Sequence, residues 1–297
     1  KEIAIPIVIM ALTLVAVYAP VGLVHGYTSG LFKQFAFTLA SAVLISAFVA
    51  LSLSPMMCSR VLLPHGQGGG WLSKIDALFL THLHSDHVVD LYQLIISSWH
   101  SYRIKPWKVY GPKGTKIFIK KIMDAWKQER TQRIKYEARS STKAFDIQIK
   151  EYKSEGTITI NDIKVKYFEV DHKPVKYAYG FNFLHKNKKL TISGDTRPSE
   201  NVMKYGQLAD VLLHEVFIDG ELKKTNKMRT TKTLHNVKAY HTPSSLVGKI
   251  AKLTRCKKLV LTHFVPTKFN ERKLKKVVRN DFGKDPIIGR DLIKIKI

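Results

Sequence analysis

The spacing of apolar positions changes character near residue 64. Ile3 to Phe32 runs 30 residues without Asp, Glu, Lys or Arg, and Gln34 to Ser59 runs another 26. Each run is long enough to cross a hydrocarbon core of ~30 Å, which predicts a two-helix transmembrane hairpin over residues 3–59 with its loop at His25-Gly-Tyr-Thr-Ser-Gly30. A cleaved leader would leave the second run unexplained. After Gly66-Gln-Gly-Gly-Gly70 the apolar runs shorten and alternate in type. Strands are predicted at 75–81, 108–111, 145–152, 157–170, 178–185, 189–193, 210–217 and 258–262, with helices near 88–100, 115–137, 243–254 and 270–279. Sheets covered by helices, an α/β class, fit that alternation. The organisation read from this pattern is a hairpin over 1–62, a junction over 63–74 and one domain over 75–297.

Charge divides the chain at the same place. Residues 1–64 carry only Lys1, Glu2, Lys33 and Arg60, while the chain as a whole holds 49 basic and 23 acidic side chains. Lys1 and Arg60 flank the hairpin, so the positive-inside bias puts both ends and the following domain on the cytoplasmic side. If the hairpin is a fusion artefact, the expected location is the cytoplasm. Cys58 and Cys256 lie in different pieces and cannot form a disulfide scaffold.

The chemistry begins where Ile75-Asp-Ala-Leu-Phe-Leu-Thr81 runs into His82-Leu-His84-Ser-Asp86-His87. Alternation along an extended backbone sends His82 and His84 to one side, with Asp86 and His87 in the turn that follows. Neutral imidazoles with carboxylates are the ligand set expected for zinc. Single ligand-type residues then close further strands: His172 after Val170-Asp171, Asp195 after Leu190-Thr-Ile-Ser-Gly, and His263 after Lys258-Leu-Val-Leu-Thr. Asp195 is the best candidate for a bridge, because a carboxylate offers two oxygens to two metals.

His82-Leu-His-Ser-Asp-His87, Ser193-Gly-Asp-Thr-Arg-Pro198 and Thr262-His-Phe264 together resemble the metallo-β-lactamase superfamily over about residues 66–297. The spelling is closest to the branch containing tRNase Z and arylsulfatase-like hydrolases. The resemblance implies an αββα sandwich, here without its first strands. It further implies two Zn2+, or other divalent ions, one held by His82, His84, His172 and Asp195 and the other by Asp86, His87, Asp195 and His263. Asp86, Glu215 and His241 are implied as catalytic residues. A hydroxide between two zinc ions attacks phosphorus near neutral pH, and His241, oriented by Glu215, protonates the leaving oxygen or binds the phosphate. Three departures stand out. Leading strands are replaced, Glu215 is followed by Val-Phe, and Thr262-His-Phe264 continues without the Ser and Arg expected to hold phosphate. There is no clear insertion for a tRNA-gripping arm, and a homodimer would supply surface that the replaced strands leave open.

Residues 1–62 resemble two membrane helices of resistance-nodulation-division efflux permeases, on Ala11-Leu-Thr-Leu-Val-Ala-Val-Tyr-Ala-Pro20, Phe35-Ala-Phe-Thr-Leu-Ala-Ser-Ala-Val43 and Leu53-Ser-Pro-Met-Met-Cys58. Neither apolar run holds an acid able to relay a proton, so transport by this chain alone is not expected.

Basic charge bears on substrate. Residues 103–153 hold 15 Lys or Arg against 5 acids, and residues 249–297 hold 15 against 4. Such fields attract polyanions, which tilts the reading from a neutral β-lactam towards RNA, a tRNA precursor in particular, or another anionic ester. The rival readings are a β-lactamase, arylsulfatase or lactonase-type hydrolase, and a non-catalytic fusion remnant.

Overall fold

The computed structural model describes residues 4–18, 20, 33–43, 45–46, 70–223 and 229–297. The chain divides into two compact units, Lys1–Gly69 and Gly70–Ile297.

In the first unit, α1 spans Ala4–Tyr18, and residues 33–43 are helical (α2). With 15 residues, α1 is roughly 22 Å long, short of the hydrocarbon thickness. Among the described residues no helix is long and apolar enough to cross a membrane, which corrects the expected hairpin and the expected membrane-anchored location. The expected loop at His25 to Gly30 lies outside the described residues.

The second unit opens with α3 (Trp71–Lys74), β1 (Leu78–Phe79), α4 (Ser85–Val88), α5 (Leu91–His100), β2 (Trp107–Gly111), α6 (Thr115–Ala125) and α7 (Lys127–Glu137). Next come β3 (Ile147–Glu151), β4 (Glu155–Ile160), β5 (Ile163–Glu169), β6 (Tyr179–His185), β7 (Lys188–Ile192) and α8 (Glu200–Tyr205). The chain closes with β8 (Val211–Phe217), α9 (Thr231–Ala239), α10 (Ser244–Thr254), β9 (Lys258–Val265), α11 (Glu271–Phe282) and β10 (Ile287–Ile288).

A parallel sheet β1-β2-β3 faces a seven-stranded sheet ordered β10-β9-β8-β7-β6-β5-β4. Between them lies an aromatic layer in which Phe79 stacks on Tyr110 with centroids 4.9 Å apart and meets Phe181 edge-on at 5.9 Å. Tyr152, Tyr167 and Tyr179 complete it. Outside the small sheet, α5 and α6 pack through Leu91, Ile95 and Ile119 against Trp107 and Val109. Outside the large sheet, α8, α10 and α11 pack through Val202, Val247, Ile250, Leu274 and Val278 onto Leu212, Val216 and Leu259. The four layers are helix, sheet, sheet, helix.

Local chemistry explains where the elements break. The run 157–170, expected as one strand, is the β4–β5 hairpin, because Asn161 (φ 53°) takes the left-handed conformation that a tight polar turn requires. The helix expected over 115–137 divides at Trp126, which stacks on Tyr92 with centroids 5.0 Å apart and planes at 9°. β1 is far shorter than the expected 75–81, since Arg103 takes carbonyls at the end of α3 and just before β2. Its Nη1 donates to Ile75 O at 2.8 Å and to Ser73 O at 3.4 Å, while Nη2 donates to Pro106 O at 2.8 Å. The guanidinium is buried over the Trp107 ring at 3.9 Å, so one arginine fixes the entry to β1 and hence to the His82–His87 segment. Helices α8, α9 and α11 start on the side chains of Ser199, Thr230 and Asn270, each accepting from an N–H in the first turn.

Gly248 marks the closest approach of α10 to α11, where an added Cβ would lie 2.5 Å from Val278 O and 3.1 Å from Asp281 Cβ. Ala normally improves a helix interior by about 1 kcal/mol over Gly. Here Gly248→Ala is expected to lower stability by about 1–3 kcal/mol through overpacking, read as a lower Tm; a raised Tm would sink this account of the interface.

Candidate functional site

The site forms where the C-terminal ends of strands from both sheets meet, the usual location in open α/β folds. β1 delivers Thr81 and His82, α4 supplies Asp86 and His87, the loop after β5 carries His172, the turn after β7 carries Asp195, and β9 carries His263.

Two of these positions depend on backbone that few residues adopt. Gly194 has φ 63°, and a Cβ there would lie 2.5 Å from Tyr179 O and 3.3 Å from Thr81 Cγ2. The turn therefore excludes any larger residue and swings Asp195 inward. His263 has φ 46°, a conformation in which β-carbons are strained, and it sits in a register shift where Glu215 faces Thr262 but Val216 faces Phe264. The bulge turns the His263 imidazole out of the pleat and towards Asp195.

The seven residues expected as metal ligands come together as two groups. In the first, His82, His84, His172 and Asp195 each offer a donor within 4.8 Å of the others. His84 Nδ1 lies 3.0 Å from His82 Nε2 and 3.4 Å from His172 Nε2, and Asp195 Oδ2 is 3.8 Å and 3.9 Å from those two Nε2 atoms. Donors bound tetrahedrally to zinc at ~2.0–2.1 Å stand about 3.3 Å apart, so these separations suit one ion. In the second, Asp86, His87 and His263 form a more exposed triad. Asp86 Oδ2 is 3.3 Å from His263 Nε2 and 3.6 Å from His87 Nε2. Asp195 Oδ2 links the groups, lying 3.2 Å from His87 Nε2 and 3.3 Å from His263 Nε2.

Protonation follows from burial and neighbours. Burial pushes His82 down to about 3 and His172 down to about 4, keeping both neutral with lone pairs available. The ring orientations are fixed from behind, by Thr81 Oγ1 at 3.0 Å from His82 Nδ1 and by His172 Nδ1 donating to Tyr240 O at 2.8 Å. Burial tends to raise Asp195, but the hydrogen bond from His87 and the charges of His263, His87 and His82 prevail and hold it well below the usual carboxylate range. His87 is raised against its own burial by the same Asp195 bond.

Behind the ligands lies a second buried pair. Glu215 Oε1 accepts from Thr242 N at 2.8 Å and Thr196 N at 3.2 Å, and Glu215 Oε2 is 3.2 Å from His241 Nδ1, out of line for a hydrogen bond. Burial raises Glu215 well above its ordinary value and lowers His241. Burial thus disfavours the charged form of each member of the pair. His241 also stands with Asp195 and His263 in a third donor group, its ring 5.5 Å from that of His263. Thr81, Tyr240, Thr196, Thr242 and Arg197 are site residues that the sequence did not single out; each is a direct chain neighbour of a named residue or within two of one. His214 is wholly buried and pushed down to about 4 by that burial, with Nδ1 on Glu215 O at 2.7 Å.

Comparison with known proteins bears on the fold. Ribonuclease Z of Mycolicibacterium gilvum is 27% identical over 247 residues, covering 81% of this chain and 84% of the relative. Ribonuclease Z of Mycobacterium bovis is 24% identical over 246 residues, covering 81% and 86%. Human tRNase Z, short form, superposes with a TM-score of 0.53 at 22% identity over 76% of this chain and 81% of the other. The metallo-β-lactamase fold protein YhfI of Bacillus subtilis gives 0.52 at 17% identity over 74% and 77%. The fold is thus that of the metallo-β-lactamases, as the motifs implied, and the chain is a hydrolase of that fold. The profile of the AcrB/AcrD/AcrF family matches residues 1–96, in line with the permease-like wording of residues 1–62. The profile described as Anti-Pycsar protein Apyc1 matches residues 61–241, more than half of the sequence and most of the donor clusters, and the chain belongs to that family.

Proposed function

We infer that the protein is a dinuclear zinc phosphodiesterase, and that an RNA, with a tRNA precursor as the leading case, is its substrate. The observation that carries this reading is the Asp195 carboxylate standing between two donor groups with the Glu215–His241 pair beside it. In this reading His82, His84 and His172 hold one ion, Asp86, His87 and His263 hold the other, and Asp195 joins them. The ions would supply a hydroxide near neutral pH and offset the charge that builds on phosphorus. Asp86, the most exposed of the carboxylates in the site, would receive the proton as the nucleophile forms. His241, with Glu215 Oε2 3.2 Å from its Nδ1, would donate Nε2–H to the leaving oxygen.

The ribonuclease Z relatives and the basic segments 103–153 and 249–297 support a polyanionic substrate. A sulfate ester or a β-lactam carries at most one or two negative charges and a lactone none, so each would gain less from that field than a polyanion. A smaller phosphodiester, a single nucleotide ester rather than a polynucleotide, is the second reading. It is favoured by the connections of the second unit, none of which among the described residues forms a long arm for gripping RNA.

Purified full-length protein should bind two zinc ions, counted by elemental analysis. It should cleave bis(p-nitrophenyl) phosphate and a tRNA precursor, and Asp195→Ala should lower both rates by on the order of 10³ or more together with the zinc count. Zinc bound without hydrolysis of either ester would remove the phosphodiesterase reading. Cleavage of cyclic mononucleotides and bis(p-nitrophenyl) phosphate, but not of the precursor, would select the smaller substrate. The acid role of His241 has its own signature. His241→Ala should slow RNA cleavage by about 10²–10⁴ while affecting p-nitrophenyl esters far less, because p-nitrophenolate leaves without a proton. Equal losses on both substrates would show that His241 does something else. Zinc removal by chelation should also lower the Tm of the folded chain, reversed on adding zinc back.

A further inference from the structure

A cavity of about 490 Å³ opens on the side of His241, between the turn after β7 and helix α9. Its walls are Pro198, Ala239, Pro243 and Leu246, flat or branched apolar surfaces, while Arg197, His235 and Lys238 stand at its edge. Lys238 is engaged by Asp219 Oδ1 at 2.6 Å. Arg197 is paired with Asp171, its Nε 3.6 Å from Oδ2, and its side chain is more than a third exposed. The cavity therefore couples apolar faces with a planar, partly exposed guanidinium, next to the residue assigned as the acid.

In-line attack places the leaving oxygen opposite the incoming hydroxide, so the leaving group lies on the acid's side of phosphorus. We propose that this cavity is the subsite for the leaving nucleoside, its base lying between the Pro198 and Pro243–Leu246 walls and its edge acceptors met by Arg197. This rests on the phosphodiesterase reading above and adds to it the residues that seat the departing half of the substrate. A nucleobase matches the cavity because it has two apolar faces and a rim of carbonyl and ring-nitrogen acceptors. A lipid or simple alkyl group would offer the guanidinium no acceptor, whereas the edge of a nucleobase does. A volume of about 490 Å³ lies within the range of small-ligand sites. Arg197 is here a positioning residue, because it touches the base and not the reacting atoms.

Binding of adenosine and uridine to the zinc-loaded full chain, followed by saturation-transfer NMR, tests this directly. Neither probe carries a phosphate, so the readout does not require turnover. Saturation should reach the base protons more strongly than the ribose protons. Ala239→Trp, which fills the cavity from an exposed helical position, and Arg197→Gln should each weaken binding by about tenfold or more, with melting curves unchanged for the first. No transfer in the unmodified protein would overturn the proposal, as would transfer that persists in folded Ala239→Trp. Hydrolysis of bis(p-nitrophenyl) phosphate, measured on the same sample, separates the two readings. Hydrolysis without nucleoside binding defeats the subsite alone, whereas nucleoside binding without hydrolysis defeats the reaction and with it the leaving-group role.

Discussion

One buried carboxylate organises the second unit. Asp195 is 3% exposed, and four imidazoles from three separate parts of the chain approach its Oδ2 within 3.2 to 3.9 Å. A carboxylate taken out of water needs opposite charge or several donors around it. Here the surroundings are imidazoles, whose own burial keeps two of them neutral and so ready as ligands. A divalent ion on either side of Asp195 would satisfy both demands at once, replacing protons that the imidazoles share with it.

Holding those groups together requires every surrounding element to end at the right place. Gly194 allows the turn that brings Asp195 past Tyr179 and Thr81, and the bulge at His263 redirects a side chain that a regular strand would send to the other face. Arg103 fixes the entry to β1 by saturating carbonyls that the short strand leaves without partners. Each device works against simple sheet regularity, and each lies at or one element away from a donor. Helices on both outer faces and the aromatic layer between the sheets supply the burial that makes such irregularities tolerable.

Much of this was legible in the residues. The His82–His87 segment at a strand end and the single donors His172, Asp195 and His263 closing later strands lie where the strand-then-ligand pattern put them, whereas Glu215 and His241 were named by the family resemblance. The layered α/β class followed from alternating element types. The membrane reading of residues 3–59 did not hold for the described helices: hydropathy reports how apolar a run is, whereas crossing requires one uninterrupted helix of sufficient length.

By itself the sequence determined the donor types, their attachment to strand ends and the alternation that makes two covered sheets, because these depend on local spacing and on side-chain chemistry. Only the tertiary structure brings the donors into two groups with Asp195 Oδ2 within reach of both, and only it places Arg197 and α9 around a cavity on the His241 side. The reason is physical. Those relations join residues up to 177 positions apart, and they are set by sheet order, a left-handed glycine and a one-residue bulge, none of which has a period that can be read along the chain.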